Sequence, residues 1–331
     1  MDSALPRALA VCAIALLCAC GSHATEASPA TAAPALPAFT SPLGRDHPLT
    51  GRIWDTAERR FAAIDELVAR AAASRLLLLG ERHDNADHHQ LQAYVLEQLQ
   101  ARGRKPALVF EMLDATDQPA IDRVQAEAAP APDALAAAVD WEQSGWPPFA
   151  LYRPLFAIAL RARWPIVGAG LPRGEAMKLA RDPTALDPAL AQRFGLGQPA
   201  APAVHEALRA EMRDAHCGLM PEAMLDAMVL IQRARDAQFA QRLHDAAARA
   251  DGAVLITGNG HARNDRGVPA AIARGFGDRT LSIAIEEVHE DQPEPDAYGD
   301  ARGAVRPPFD YVWFTPRKSD QDPCDALRKK H

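Results

Sequence analysis

Four consecutive leucines, Leu76 to Leu79, run straight into Gly80 and then into a polar segment, Glu81-Arg82-His83-Asp84-Asn85. An apolar run that stops at a glycine predicts a strand buried on both faces and ended by a tight turn. The pattern sets this strand at residues 75–79. Runs of the same kind recur at 107–111, 165–168, 253–257, 280–285 and 311–315. Between them the apolar positions switch to helical spacing. Leu91, Val95 and Leu99 form one stripe over 87–102, and 56–73 and 149–163 also read as helices.

Strands alternating with helices predict an α/β fold, a mainly parallel sheet flanked by helices. The last two strands, joined by a polar loop rich in Pro and Gly over 288–308, are expected to pair antiparallel at an edge. Residues 171–250 carry no strand pattern but several helical ones, including 202–216 and 221–248. They predict a small all-helical subdomain inserted in the α/β domain. The α/β domain is then 49–170 and 251–317, with packing expected to begin near Ile53 and Trp54. Residues 20–48 are rich in Ala, Pro, Ser and Thr and predict a flexible tether. Residues 318–331 predict a loose polar tail.

Composition narrows the class. The 331 residues are 48% hydrophobic and 24% charged, an ordinary globular balance in a chain long enough for a sizeable core. The net charge of −7 leaves no basic footprint, so nucleic acid is not an expected partner.

The N-terminus reads as a targeting segment, residues 1–19. Arg7 supplies the positive start, and Ala8 to Ala19 an apolar stretch too short to span a bilayer. It ends in Leu17-Cys18-Ala19-Cys20-Gly21, which resembles a bacterial lipobox with Cys20 as the lipidated residue. Acylation there would give stable anchoring, and Gly21 after the cysteine favours the outer membrane of the cell envelope. Ordinary signal cleavage with secretion is the alternative. Cys217 and Cys324 remain in the mature chain and could pair in an oxidising compartment. Cys-x-x-Cys-His is missing, which excludes covalent c-type haem attachment.

The chemistry gathers at strand ends. Glu81 and His83 follow the first strand, and Glu111 closes Leu108-Val109-Phe110. Gly168-Ala169-Gly170 ends the third, and Gly258-Asn259-Gly260-His261 follows the fourth. If these strands run parallel, their carboxyl ends share the edge where such sheets bind ligands. Glu81, His83, Glu111 and His261 would then converge. Two carboxylates and two imidazoles suit a divalent metal. They equally suit a metal-free acid–base site in which a carboxylate orients each imidazole. Asp84 or Asn85 is expected to cap the next helix. His88 lies on its sheet-facing stripe, and His89 is expected at the surface. The phosphate-loop, Gly-x-Ser-x-Gly and His-Glu-x-x-His motifs are all missing, which disfavours a P-loop NTPase, an elbow-type serine hydrolase and a common zincin.

Several segments together resemble the ChaN-like lipoproteins. They are Leu79-Gly80-Glu81-Arg82-His83-Asp84-Asn85, Phe110-Glu111-Met112, Trp141-Glu142-Gln143-Ser144-Gly145-Trp146-Pro147, His216-Cys217-Gly218, Gln232-Arg233-Ala234-Arg235-Asp236 and Gly258-Asn259-Gly260-His261. The match runs in order over 53–316, and the lipobox fits it. Arg82 departs from the small apolar residue expected between the Glu and the His. The resemblance places the chain in a superfamily with the Tiki peptidases and the erythromycin esterase-like proteins. It implies haem binding and iron uptake at the bacterial outer membrane, on a parallel sheet flanked by helices with a small helical domain. The alternative it carries is a metal-dependent or acid–base hydrolase or peptidase acting through Glu81, His83, Glu111 and His261.

Haem needs an axial ligand and a flat apolar slot. His216, where two helices of the subdomain meet, and Tyr152, after Trp146-Pro147-Pro148-Phe149, are the candidates, with His83 a third. Trp141 and Trp146 could wall such a slot. Met220, Met224 and Met228 recur every four residues and read as core. A haem held at the surface would favour a homodimer, and delivery would call for an outer-membrane haem receptor.

Overall fold

Leu76 to Leu79 are completely buried, and their alternate side chains feed two different apolar layers. A computed structural model describes residues 1–2, 36–299, 306–322 and 324–328. The targeting segment, the lipobox and Cys20 lie outside the described residues. Every element below belongs to one compact unit, Ala33–His331.

The chain order is β1 (Ile53–Asp55), β2 (Arg60–Ala62), α1 (Ile64–Ala73), β3 (Leu76–Glu81), α2 (Ala86–Ala101) and β4 (Ala107–Asp114). Then come α3 (Gln118–Gln125), α4 (Pro132–Ala138), α5 (Phe149–Ala162), β5 (Ile166–Gly170), α6 (Arg173–Arg181), α7 (Pro188–Phe194), α8 (Pro202–Ala215) and α9 (Glu222–Ala247). The chain finishes with β6 (Ala253–Gly258), α10 (Asn259–Ala262), α11 (Val268–Phe276), β7 (Leu281–Glu287), β8 (Tyr311–Thr315) and α12 (Asp325–Arg328). Among the described residues the strands make one eight-stranded sheet, ordered β2-β1-β8-β7-β3-β6-β4-β5. From β8 to β5 every pairing is parallel. Leu77, Leu79, Leu108 and Phe110 pack under α1, α2 and α5, whereas Leu76, Leu78, Val109 and Leu255 pack under α9 and α11.

The chain leaves β3 toward the α2 face and leaves β6 toward the α11 face, although the two strands are neighbours. Connections diverging to opposite faces open a crevice at the carboxyl ends of the strands between them. Glycine lets neighbours close up around this edge. A Cβ on Gly80 would sit 2.2 Å from Asn259 Oδ1, and one on Gly168 would sit 2.4 Å from the Asp114 carbonyl oxygen. Gly168 and Gly170 thus serve the close approach of β5 to β4.

Four expectations need correction. β8 pairs with β7 parallel, not antiparallel. The loop between them is long enough for a parallel crossover, and β8 finds its antiparallel partner in β1 instead. Residues 60–62 form a strand, not the start of a helix, and α1 begins only at Ile64. Trp54 against Phe61, with ring centroids 5.0 Å apart, holds that hairpin together. Packing starts before Ile53. The Thr40 and Ser41 amides donate to the Asp87 carboxylate at 2.7 and 2.9 Å, and Leu49 is buried. Within the stretch expected to be loose, Cys324 is held, disulfide-bonded to Cys217 with Cα atoms 5.4 Å apart.

Between β5 and β6 the chain is helical. Leu225, Val229, Phe239 and Leu243 bury one face of α9, and Leu208 and Met212 of α8 pack on its first turns. Met220 and Met228 join that packing, but Met224 is exposed. No helix among the described residues is long and apolar enough to cross a membrane.

Candidate functional site

The crevice receives β3, β4 and β6 from below, and each delivers one polar group. Glu81 is the last residue of β3, Glu111 sits inside β4, and Thr257 and Gly258 end β6. Helices close the sides: α2 brings His88 and His89, α5 brings Tyr152, and α9 brings Asp236.

Two imidazoles meet over one carboxylate. His83 Nδ1 lies 2.8 Å from Glu81 Oε1, and His261 Nδ1 lies 2.7 Å from Asp236 Oδ1. Each ring is thus oriented by its own acid, and each turns Nε2 toward Glu111 Oε1, at 3.9 Å from His83 and 3.5 Å from His261. The other oxygen of Glu111 accepts from Thr257 Oγ1 at 2.7 Å and from the Gly258 amide at 2.8 Å. A Cβ at Gly258 would come within 2.9 Å of His83 Nε2, so the glycine leaves room for the ring.

The electrostatics follow from this pairing. Burial alone would raise the Glu81 carboxyl, but His89 and His83 outweigh it and hold the group down at about 2. Burial disfavours a charged His83. The Glu81 hydrogen bond and the charge of Glu111 prevail and lift it to about 9. Burial likewise opposes charge on Glu111, whose pKa the two imidazoles nevertheless depress. Asp236 is pushed up to about 6 by burial, against the pull of His261, while His261 is itself raised by Glu111 and Asp236. Burial opposes the charged form of His261, and the two carboxylates overcome it.

His88 shows the contrast. Its Nδ1 accepts from the Arg82 amide at 2.9 Å and its Nε2 faces Thr315 Oγ1 at 2.9 Å. Burial keeps it neutral, with its pKa down at about 3. Asn85, not Asp84, caps α2 by accepting from the Asp87 amide. His89 is the correction here. It is 1% exposed, lies 2.8 Å from Glu81 Oε2, and faces the His83 carbonyl through Nε2.

The structure brings Glu81, His83, Glu111 and His261 together, but as acid–imidazole pairs. No three described His, Cys, Asp or Glu side chains are placed to hold a metal ion. Tyr152 belongs to the same network. It is fully buried, and its hydroxyl donates to Glu81 Oε1 at 3.1 Å. Trp146 stands edge-on to His83 at 4.9 Å, and Trp141 is packed in the core. His216 lies elsewhere, at the end of α8. Its Nδ1 faces the Met212 carbonyl at 2.8 Å.

Sequence reasoning quoted Asp236 only within the segment 232–236 that carries the resemblance, not as a site residue, and it missed the burial of His89. The signal for Asp236 was present, since Leu225, Val229, Gln232, Asp236, Phe239 and Leu243 form one buried stripe of α9. A carboxylate on an apolar stripe needs a buried partner.

Among solved structures, the fold is similar to that in "Cofacial heme binding to ChaN of Campylobacter jejuni". The identity is 20%, the match covers 79% of this chain and 95% of that one, and the TM-score is 0.61. More distant is the erythromycin esterase EreC, as an H289N mutant in its open conformation. It is 13% identical over 79% of this chain and 95% of that one, with a TM-score of 0.44. No curated protein matches the chain. A family model described as haem-binding uptake, Tiki superfamily, ChaN matches residues 67–272, more than half of the chain, and the protein belongs to that family.

Proposed function

We propose that this protein binds haem for iron uptake while anchored by lipid to the outer membrane, with His216 as the axial ligand. Family membership supports haem as the cofactor. The observation that favours His216 is its local geometry. With Nδ1–H donating to the Met212 carbonyl, the tautomer leaves the Nε2 lone pair for iron. The ring is half-buried, and Nε2 has no partner among the described residues. Leu219 and Met224, in and just after the same turn, are 44% and 48% exposed and offer apolar surface for a porphyrin. Tyr152 fits less well, because its hydroxyl is spent on Glu81 inside the core.

The Cys217–Cys324 disulfide supports an oxidising compartment such as the cell envelope. The lipobox at Cys20 supports the anchor. A haem carried in the exposed turn of His216 would pair with a second copy or a receptor. The test is absorption titration with haem of wild type, His216→Ala and Tyr152→Phe. The expected outcome is a saturable Soret shift in wild type and Tyr152→Phe that weakens at least tenfold in His216→Ala. A wild type that gives no shift, or a His216→Ala that matches wild type, contradicts the reading.

The convergence of His83 and His261 on Glu111 favours a second reading, acid–base hydrolysis at the strand ends. His83, partly exposed and protonated, has the character of a general acid. Hydrolysis lost in His261→Ala with haem binding intact would support it. An ester and peptide panel untouched by wild type would remove it.

A further inference from the structure

A cavity of about 80 Å³ with Asp236 in its lining opens between α8, α9 and α11. A water needs about 10–15 Å³ of such space, so the cavity admits a small oxyanion with a short apolar part attached. Its apolar walls include Phe194, Val204 and Leu208. Its charged lining is uneven. Arg266 is engaged by Glu211 and Asp265, and Asp236 by His261. Arg233 donates only to the carbonyls of Gln198 and Gly195, at 2.9 and 3.0 Å, and faces no carboxylate. Arg274, four residues along α11 from Ala270 in the same wall, makes no hydrogen bond or ion pair with the described residues. The two guanidiniums are close enough that Arg274, together with burial, lowers the pKa of Arg233. Arg233 is half-buried and Arg274 exposed, and both line the recess, so an anion entering it would meet two guanidiniums with no carboxylate bound to either among the described residues.

We propose that this cavity is a binding site for a small oxyanion, the carboxylate or phosphate head of a ligand whose short apolar part lies along Phe194, Val204 and Leu208, with Arg233 and Arg274 as the receptors. Guanidinium is the group best matched to such oxyanions, through paired N–H donors. The site is separate from the His216 turn, so it stands or falls independently of haem.

Calorimetric titration of the full chain with inorganic phosphate and with butyrate, at fixed ionic strength, tests it. Saturable binding of at least one is expected, and which of the two binds tighter names the head group. Arg274→Gln removes a side chain that bonds none of the described residues, so its unliganded melting temperature should match wild type. Its affinity should fall about tenfold, the loss of one charge-assisted hydrogen bond. Arg193→Gln, a cation stacked on Phe276 outside the cavity lining, should bind as wild type does. No saturable binding of either anion, or equal losses in Arg193→Gln and Arg274→Gln, overturns the site.

Discussion

His83 keeps its proton because two carboxylates flank it, Glu81 on Nδ1 and Glu111 beyond Nε2. Its pKa is raised from 6.5 to about 9, so its share of stability is whole below 6.5 and is lost as pH rises through 9. Glu81 is lowered from 4.5 to about 2, so its share is whole above 4.5 and is lost as pH falls through 2. Both are intact between those limits, and urea denaturation across pH should show highest stability there with an alkaline decline. Glu81→Gln strands the charges of His83 and His89 and should cost about 3 kcal/mol. It should also flatten the alkaline limb, and proton NMR should find the His83 pKa falling toward 6.5. A wild-type His83 that already titrates near 6.5 would contradict the pairing. At the same scale, Gly80→Ala should destabilise, because its methyl meets Asn259 Oδ1 at 2.2 Å and that atom is boxed in. These residues were legible to different degrees. Glu81, Glu111 and His261 announce themselves by following apolar runs. His89 sits on a helix, where a polar residue is buried or exposed according to what packs above it, and one sequence does not display that, whereas Asp236 lies on a legible apolar stripe.

Among the elements, the edge strand β5 shows how helices finish a sheet. Two glutamines of α3 act as a surrogate strand. Gln118 donates to the Ile166 carbonyl and accepts from the Gly168 amide, and Gln125 accepts from the Ile166 amide and donates to the Trp164 carbonyl. An edge left open invites pairing with other chains. The double variant Gln118→Ala/Gln125→Ala strips four hydrogen bonds and should cost about 2–4 kcal/mol. It should also aggregate on mild heating, as read by light scattering. A variant as stable and as soluble as wild type would show that the edge needs no cover. The long strands and helices were readable because their apolar periods are unbroken. β1 and β2, three residues each, were not. Their turn carries no glycine, and Arg59 takes the left-handed conformation instead, at φ 52°. Parallel or antiparallel pairing of β8 was equally hidden, since it depends on where β1 lies and not on the composition of the loop.

For the whole molecule, the disulfide joins residues 107 apart, the turn after α8 to the C-terminal tail. Closing so long a loop restricts the unfolded chain, and Cys324→Ser should lose about 2–4 kcal/mol. Denaturation midpoints with and without reductant check this. Wild type should fall to the variant's value on reduction, and the variant should not respond. Because Cys217 adjoins His216, the same bond steadies the turn proposed to hold haem. The proposed lipid anchor is tested at this scale too. Cys20→Ser should move the protein from the membrane fraction to the soluble envelope fraction. Unchanged fractionation would dismiss the lipid anchor.

The central claim is that a histidine at the α8–α9 turn, not the buried tyrosine, binds the iron. Resonance Raman spectroscopy of the haem complex reads the axial ligand directly. A histidine–iron stretch in the ferrous wild-type complex that disappears in His216→Ala is the predicted result. A tyrosinate signature in the ferric complex, or a histidine–iron stretch that survives in His216→Ala, would contradict it.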